Sequence, residues 1–314
     1  MTGNPRPGRS GVPLVHIAVA LFGLAGVLGK LTDLPSTVIV LGRVFFAGLA
    51  LVVVVTARGL PLVPGQRRDL LALAGSGAIL ALHWTAFFQS IQVSSVAVAL
   101  LSFSTFPLFT TALEPIMLGE RPRRVEAVAA LLILPGIFLI VPAFSLANAI
   151  TRGVAWGLLA GLTFAVLSIW NRRLGRTHPS LVISLYQDGV AALVLLPTLF
   201  VIRPAHGLSW RDLAILAVLG LLCTAVAHTL FIEGMRSLTA QAASVVAALE
   251  PVWGILFALL LLGEVPAART LGGGLLVVAA TMLPAVVGRR PTGDARMGTL
   301  LINPRHEADG DSPS

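Results

Sequence analysis

A few charged residues lie inside runs otherwise built from Ala, Val, Leu, Ile and Phe. Glu250 stands beside Pro251 in the run 241–262, Arg43 near the middle of 35–57, and Asp188 near the middle of 180–202. A charge at such a place costs free energy unless it is paired or faces a watery cavity. Two chemistries are open. Arg43 forms a structural ion pair with Asp188 or Glu250, or Glu250 binds a proton or cation while Arg43 meets a substrate carboxylate. Gln187 adjoins Asp188. His83 lies beside Trp84 in 69–90, and His228 lies in 211–233. Each histidine is either hydrogen-bonded to a neighbouring helix or part of a substrate or proton site. Trp84 and Tyr186, the one tyrosine, are candidates for a cavity wall as well as for packing.

Other chemistries lack their residues. No Cys, His or Glu spacing suits a metal, and there is no Walker A, G-x-S-x-G or H-E-x-x-H pattern. Neither an enzyme nor a cofactor is expected. The single cysteine, Cys223, leaves no disulfide framework.

The elements that carry these residues are long and apolar. The chain is 56% hydrophobic and 11% charged, against roughly 25% charged for a soluble domain. Such a surface belongs in a lipid bilayer. Ten apolar segments are predicted: 13–31, 35–57, 69–90, 94–117, 125–146, 153–171, 180–202, 211–233, 241–262 and 268–288. Each is close to the ~20 residues a helix needs to cross hydrocarbon. The tails 1–12 and 289–314 are polar and predicted disordered.

The net charge of +8 does not point to nucleic acid, because the basic residues sit in short clusters between the apolar runs. With ten alternating helices, 16 of the 22 Lys and Arg fall on the side of the termini and 5 on the other, with Arg43 inside a helix. That bias predicts both termini in the cytoplasm.

One pattern occurs twice. Pro107, Gly119, Glu120 and Pro122 correspond to Pro251, Gly263, Glu264 and Pro266 at a constant offset of 144. The repeat divides the chain into halves at 13–152 and 153–288. Each half holds five helices, an odd number, so the second half enters the membrane from the opposite side. The fold class expected is therefore an all-α integral membrane protein of ten helices in two inverted repeats, an architecture of secondary transporters. Within the motif, Gly suits a left-handed helix end, and Glu is expected at the positive end of the following helix. A gating role for Glu120 or Glu264 is the alternative. Pro107 and Pro251 fall in mid-helix, as packing kinks or as hinges beside a cavity.

Ten helices, two five-helix halves and the Pro…Gly-Glu pattern resemble the EamA-type family of the drug/metabolite transporter superfamily over 13–288. The resemblance implies a secondary transporter in the bacterial inner membrane that exports amino acids, other metabolites or toxic compounds by alternating access. Its partners would be a small-molecule substrate, the lipid bilayer and, as a candidate coupling ion, the proton. It leaves the oligomeric state open. A multi-pass membrane enzyme and a passive channel are the alternatives from other classes.

Overall fold

The computed structural model describes residues 11–60, 67–119, 123–143, 145–175, 177–202, 207–235, 246–247 and 249–287. Every regular element among them is helical. In chain order these are α1 Gly11–Lys30, α2 Ser36–Ala57, α3 Arg67–Val93, α4 Val96–Phe103, α5 Phe106–Leu118, α6 Arg124–Ile140 and α7 Ala149–Leu174. There follow α8 Ser180–Leu195, α9 Thr198–Val201, α10 Trp210–Gly220, a π-helical turn Leu221–Val226, α11 Ala227–Met235, α12 Glu250–Leu262 and α13 Ala268–Val287. The tail expected over 1–12 is shortened at its inner edge, because α1 already begins at Gly11.

Among the described residues, seven helical stretches are long and apolar enough to cross a membrane, and two shorter apolar helices, Glu250–Leu262 and Ala268–Pro284, accompany them. Helices suit that setting because each backbone N–H and C=O is satisfied within its own segment. The outward faces stay apolar, with Phe45, Val53, Leu131, Phe138 and Leu193 all exposed. Inside, Ile39, Phe88, Ile91, Leu100 and Leu219 are fully buried and bring α2, α3, α4 and α10 into one core.

The helices pack in a recurring scheme. α3 packs on α7 and α8, while the α10–α11 stretch packs on α1 and α2. α4 and α5 lie against α7, as α12 lies against α1. α2 with α8, α4 with α12, and α6 with α13 also pair.

The run 94–117 is not one helix. α4 stops at Phe103, Ser104 and Thr105 form a turn, and α5 opens at Phe106. Pro107 is therefore the second residue of a new helix rather than a kink inside an old one. Pro251 holds the same place in α12. Proline suits a first turn, where its missing N–H breaks no intrahelical bond. The hydroxyls of Ser102, Ser104 and Thr105 donate back to the carbonyls of Val98, Leu100 and Ser102 at 2.6, 2.8 and 2.7 Å. These bonds occupy acceptors next to the break.

A break held by a first-turn proline gives an expected outcome. Pro251→Ala leaves the yield of folded protein near wild type and slows substrate exchange, because alanine permits the helix to continue backward through the turn. Folded yield and exchange per molecule, measured together, check it. A large loss of yield with normal exchange per molecule would assign Pro251 to packing alone.

Candidate functional site

Arg43 enters the core from α2 and is only 3% exposed. Its Nε and Nη2 both donate to the hydroxyl of Thr224, at 3.0 and 2.8 Å. Thr224 lies in the π-turn and donates its own hydrogen to the carbonyl of Leu219 at 2.8 Å. The guanidinium carbon stands 3.9 Å over the Trp84 ring of α3. A planar cation held on an aromatic face by one hydroxyl keeps a fixed direction. Its Nη1 end makes no hydrogen bond among the described residues.

Two acidic side chains lie within electrostatic range of this cation. Asp188 comes from α8 and is 3% exposed; Glu250 opens α12 and is half-buried. Both are close enough for their charge to act on Arg43. Yet neither lies within salt-bridge distance of Arg43 among the described residues, so the direct ion pair, one of the two readings the sequence leaves open, is not made there. Sequence position had put Glu250 in mid-helix. It is instead in the first turn of α12, where the unpaired N–H groups of a helix start favour an anion.

Aromatic rings close the cluster. His228 of α11 meets Trp84 at 5.9 Å between ring centroids and Phe22 of α1 at 5.2 Å, both edge to face. The structure thus gathers Arg43, Trp84 and His228 as neighbours, with Asp188 and Glu250 within electrostatic reach.

Other candidates from the sequence lie elsewhere. His83 places Nδ1 2.9 Å from the carbonyl of Ala160 on α7, which only accepts, and its ring packs among Phe103 and Phe164. Gln187 donates to Asn171 at 2.7 Å, and Tyr186 packs beside Leu73 and Ile183. Thr224 and Phe22 were missed. A lone Thr or Phe in an apolar run carries no signal of its own, and a π-turn has none.

The glycine motif is found in two copies of one geometry. α5 and α12 each have 13 residues and end on a left-handed glycine, Gly119 at φ 72° and Gly263 at φ 65°. An L-residue would be strained at that φ. Glu120 lies outside the described residues. Glu264 does not serve the helix that follows it. Its Oε1 accepts from the backbone N–H of Ala97, 3.4 Å away in the first turn of α4. Gly263 is therefore next to the start of the α4–α5 stretch, and Gly119 is at its far end.

Two polar contacts join the two halves of the chain at opposite ends of α2. After α1, Thr32 donates to Asp212 in the first turn of α10 at 2.6 Å. At the other end, Asp69 in the first turn of α3 lies 3.6 Å from Nε2 of His178, just before α8.

The fold and this cluster define a helical membrane protein with a buried cation and, within its electrostatic reach, two acidic side chains that make no salt bridge among the described residues. The EamA-like transporter family model matches residues 9–141 and again 151–285, and the chain belongs to that family. The uncharacterized transporter YwfM of Bacillus subtilis is 25% identical over 90% of this chain and 96% of its own. The pseudopaline exporter CntI of Pseudomonas aeruginosa is 28% identical over 87% of this chain and 94% of its own. A probable terminal-alkyne amino-acid exporter of Streptantibioticus cattleyicolor is 25% identical over 91% of both chains. One solved crystal structure shares the fold, with a TM-score of 0.64 at 18% identity, covering 90% of this chain and 99% of the other. The protein is thus a multi-pass membrane transporter with a small-molecule substrate.

Proposed function

We propose that this transporter is a secondary exporter of small amino-acid-type metabolites, a carrier and not an enzyme or a channel. The observation that carries the proposal is the unpaired bipolar cluster. The free end of the Arg43 guanidinium suits a carboxylate. Asp188 and Glu250 suit an ammonium group or a proton. Trp84, His228 and Phe22 offer apolar surface for a side chain. Two relatives named as exporters, one of them of an amino acid, fit the same substrate class.

Alternating access follows from ten membrane segments in two inverted halves. The support is geometric. The packing scheme of one half recurs in the other, α5 and α12 are alike in length and in both caps, and Glu264, next to Gly263, bonds to the start of the α4–α5 stretch that ends at Gly119. Thr32–Asp212 and Asp69–His178 then serve as gates at the two ends. The basic-residue bias puts both termini in the cytoplasm of a bacterial inner membrane.

A melting screen of the purified protein against amino acids, nucleobases and cationic drugs tests the substrate class. An amino acid is expected to raise the melting temperature by mass action. Stabilisation by a cationic drug alone would overturn the assignment. Topology is tested separately in a Cys223→Ala background. Cysteines at positions 120 and 264 are expected to react with an impermeant thiol reagent from opposite sides of the membrane. Reaction of both from one side would end the inverted repeat.

A further inference from the structure

The two halves keep one register almost everywhere. Ser36 and Ser180 open α2 and α8, each after a proline cap, 144 residues apart. Phe106 and Glu250 open α5 and α12 at the same spacing, and so do Arg124 and Ala268 for α6 and α13. One place departs from it. A Cβ on Gly77 of α3 would meet the carbonyl oxygen of Gln187 at 3.0 Å and Val190 Cβ at 2.6 Å. A Cβ on Gly220 of α10 would meet the carbonyl oxygen of Arg43 at 2.6 Å and Phe46 Cβ at 2.5 Å.

These are the same helix crossing, since Gln187 and Val190 stand 144 residues after Arg43 and Phe46. But Gly220 stands only 143 after Gly77. By Pro107 and Pro251 the spacing is 144 again. Against the matching stretches of the first half, the second half is therefore one residue shorter between Val190 and Gly220 and one residue longer between Gly220 and Pro251. The π-turn Leu221–Val226 follows Gly220 directly. A π-turn is how a helix absorbs one extra residue, and such turns often lie at functional sites.

The insertion has a local consequence. Residue 219 keeps its carbonyl for the Thr224 hydroxyl, five residues on. With its hydrogen spent there, the oxygen of Thr224 is left as an acceptor, and both Nε and Nη2 of Arg43 converge on it. That engages the side edge of the guanidinium and leaves its Nη1 end as the open one. The equivalent of Arg43 in the other crossing is Gln187, which turns away to Asn171. So, of the two crossings related by the repeat, the one that carries the arginine is the one followed by the extra residue.

We infer that the π-turn is a one-residue insertion that makes Thr224 the positioning residue of the anion subsite, fixing the direction in which Arg43 meets a substrate carboxylate. This rests on the assignment of Arg43 as the carboxylate partner.

The test uses the standard amino acid that most raises the melting temperature of the whole wild-type protein, and the amine that remains when its carboxylate is removed. Apparent affinities come from melting temperature against ligand concentration. Wild type is expected to prefer the amino acid. Thr224→Ser, which keeps the hydroxyl, retains that preference. Thr224→Val, nearly the same shape without the acceptor, loses it by about tenfold or more, as expected when a hydrogen bond to a charged group goes. Thr224→Ala does the same and stands in if the valine variant does not fold. A wild-type preference in Thr224→Val or Thr224→Ala would overturn the positioning role and leave the subsite intact. If wild type itself binds amine and amino acid alike, or no amino acid at all, the assignment of Arg43 fails and the inference with it.

Discussion

Bridging position 69 to position 178 is expected to stop transport, and so is bridging position 32 to position 212. Each pair joins the two halves at one end of α2, through Asp69 and His178 or through Thr32 and Asp212. An alternating-access carrier must open each end in turn, so a covalent tie at either end removes one of its two states. The residues of each pair are replaced by cysteine in a Cys223→Ala background and joined with a short reducible thiol cross-linker. Exchange is followed in proteoliposomes loaded with the amino acid found in the melting screen. Both bridged proteins are expected to fall to the rate of empty vesicles and to recover after reduction. A short cross-linker is used because the contacts are between side-chain tips, while a direct disulfide demands a narrow range of backbone separation. If either bridged protein exchanges at the unbridged rate, that end is not a gate. If only one bridge acts, the two contacts are not equivalent parts of one mechanism.

Much of this was legible in the sequence because membrane helices announce themselves by length and apolarity. The Pro…Gly-Glu spacing also survives in an apolar chain where Leu and Ala matches mean little. Gly119 and Gly263 could be placed as helix ends because a positive φ strongly favours glycine. The break at Ser104–Thr105 was not legible. Proline is compatible with a kinked helix and with a first turn, and only the backbone distinguishes them. Glu264 was expected at the start of the next helix, because sequence shows neighbours in the chain and not neighbours in space. It bonds instead to α4. The same limit hid Thr224. Its importance comes from Arg43, 181 residues away, and from an insertion that shows only when the helix crossings of the two halves are laid side by side. The charged residues were the easiest to find, since a charge in hydrocarbon always needs a reason.

Glu250→Gln is expected to fold, to exchange substrate, and to lose its acceleration by a pH gradient. The motive is the position of Glu250 at the start of α12, within reach of the Arg43 charge but with no salt bridge to it among the described residues. Had the two been a buried pair, removing either would strand the other and cost about 3–5 kcal/mol of stability. Arg43 instead keeps Thr224 and Trp84 when Glu250 is changed, so the fold has another support for that charge. On the proposed export mechanism, a carboxylate free of a fixed partner would take a proton when the site faces outward and release it when the site faces inward, and so would couple proton entry to substrate export. Glutamine has nearly the same shape and carries no such proton. Arg43→Lys serves as the contrast. Lysine keeps the charge but has no planar fork to share Thr224 and stack on Trp84. It is expected to weaken amino-acid binding by about tenfold to a hundredfold. The two variants therefore fail differently, one in its response to the gradient and the other in affinity. Transport driven by a pH gradient and transport by exchange, measured side by side in the same proteoliposomes, separate them. An unchanged response to the gradient in Glu250→Gln would remove Glu250 from coupling. A fold lost in Glu250→Gln and restored by adding Arg43→Gln would make the two a structural pair after all.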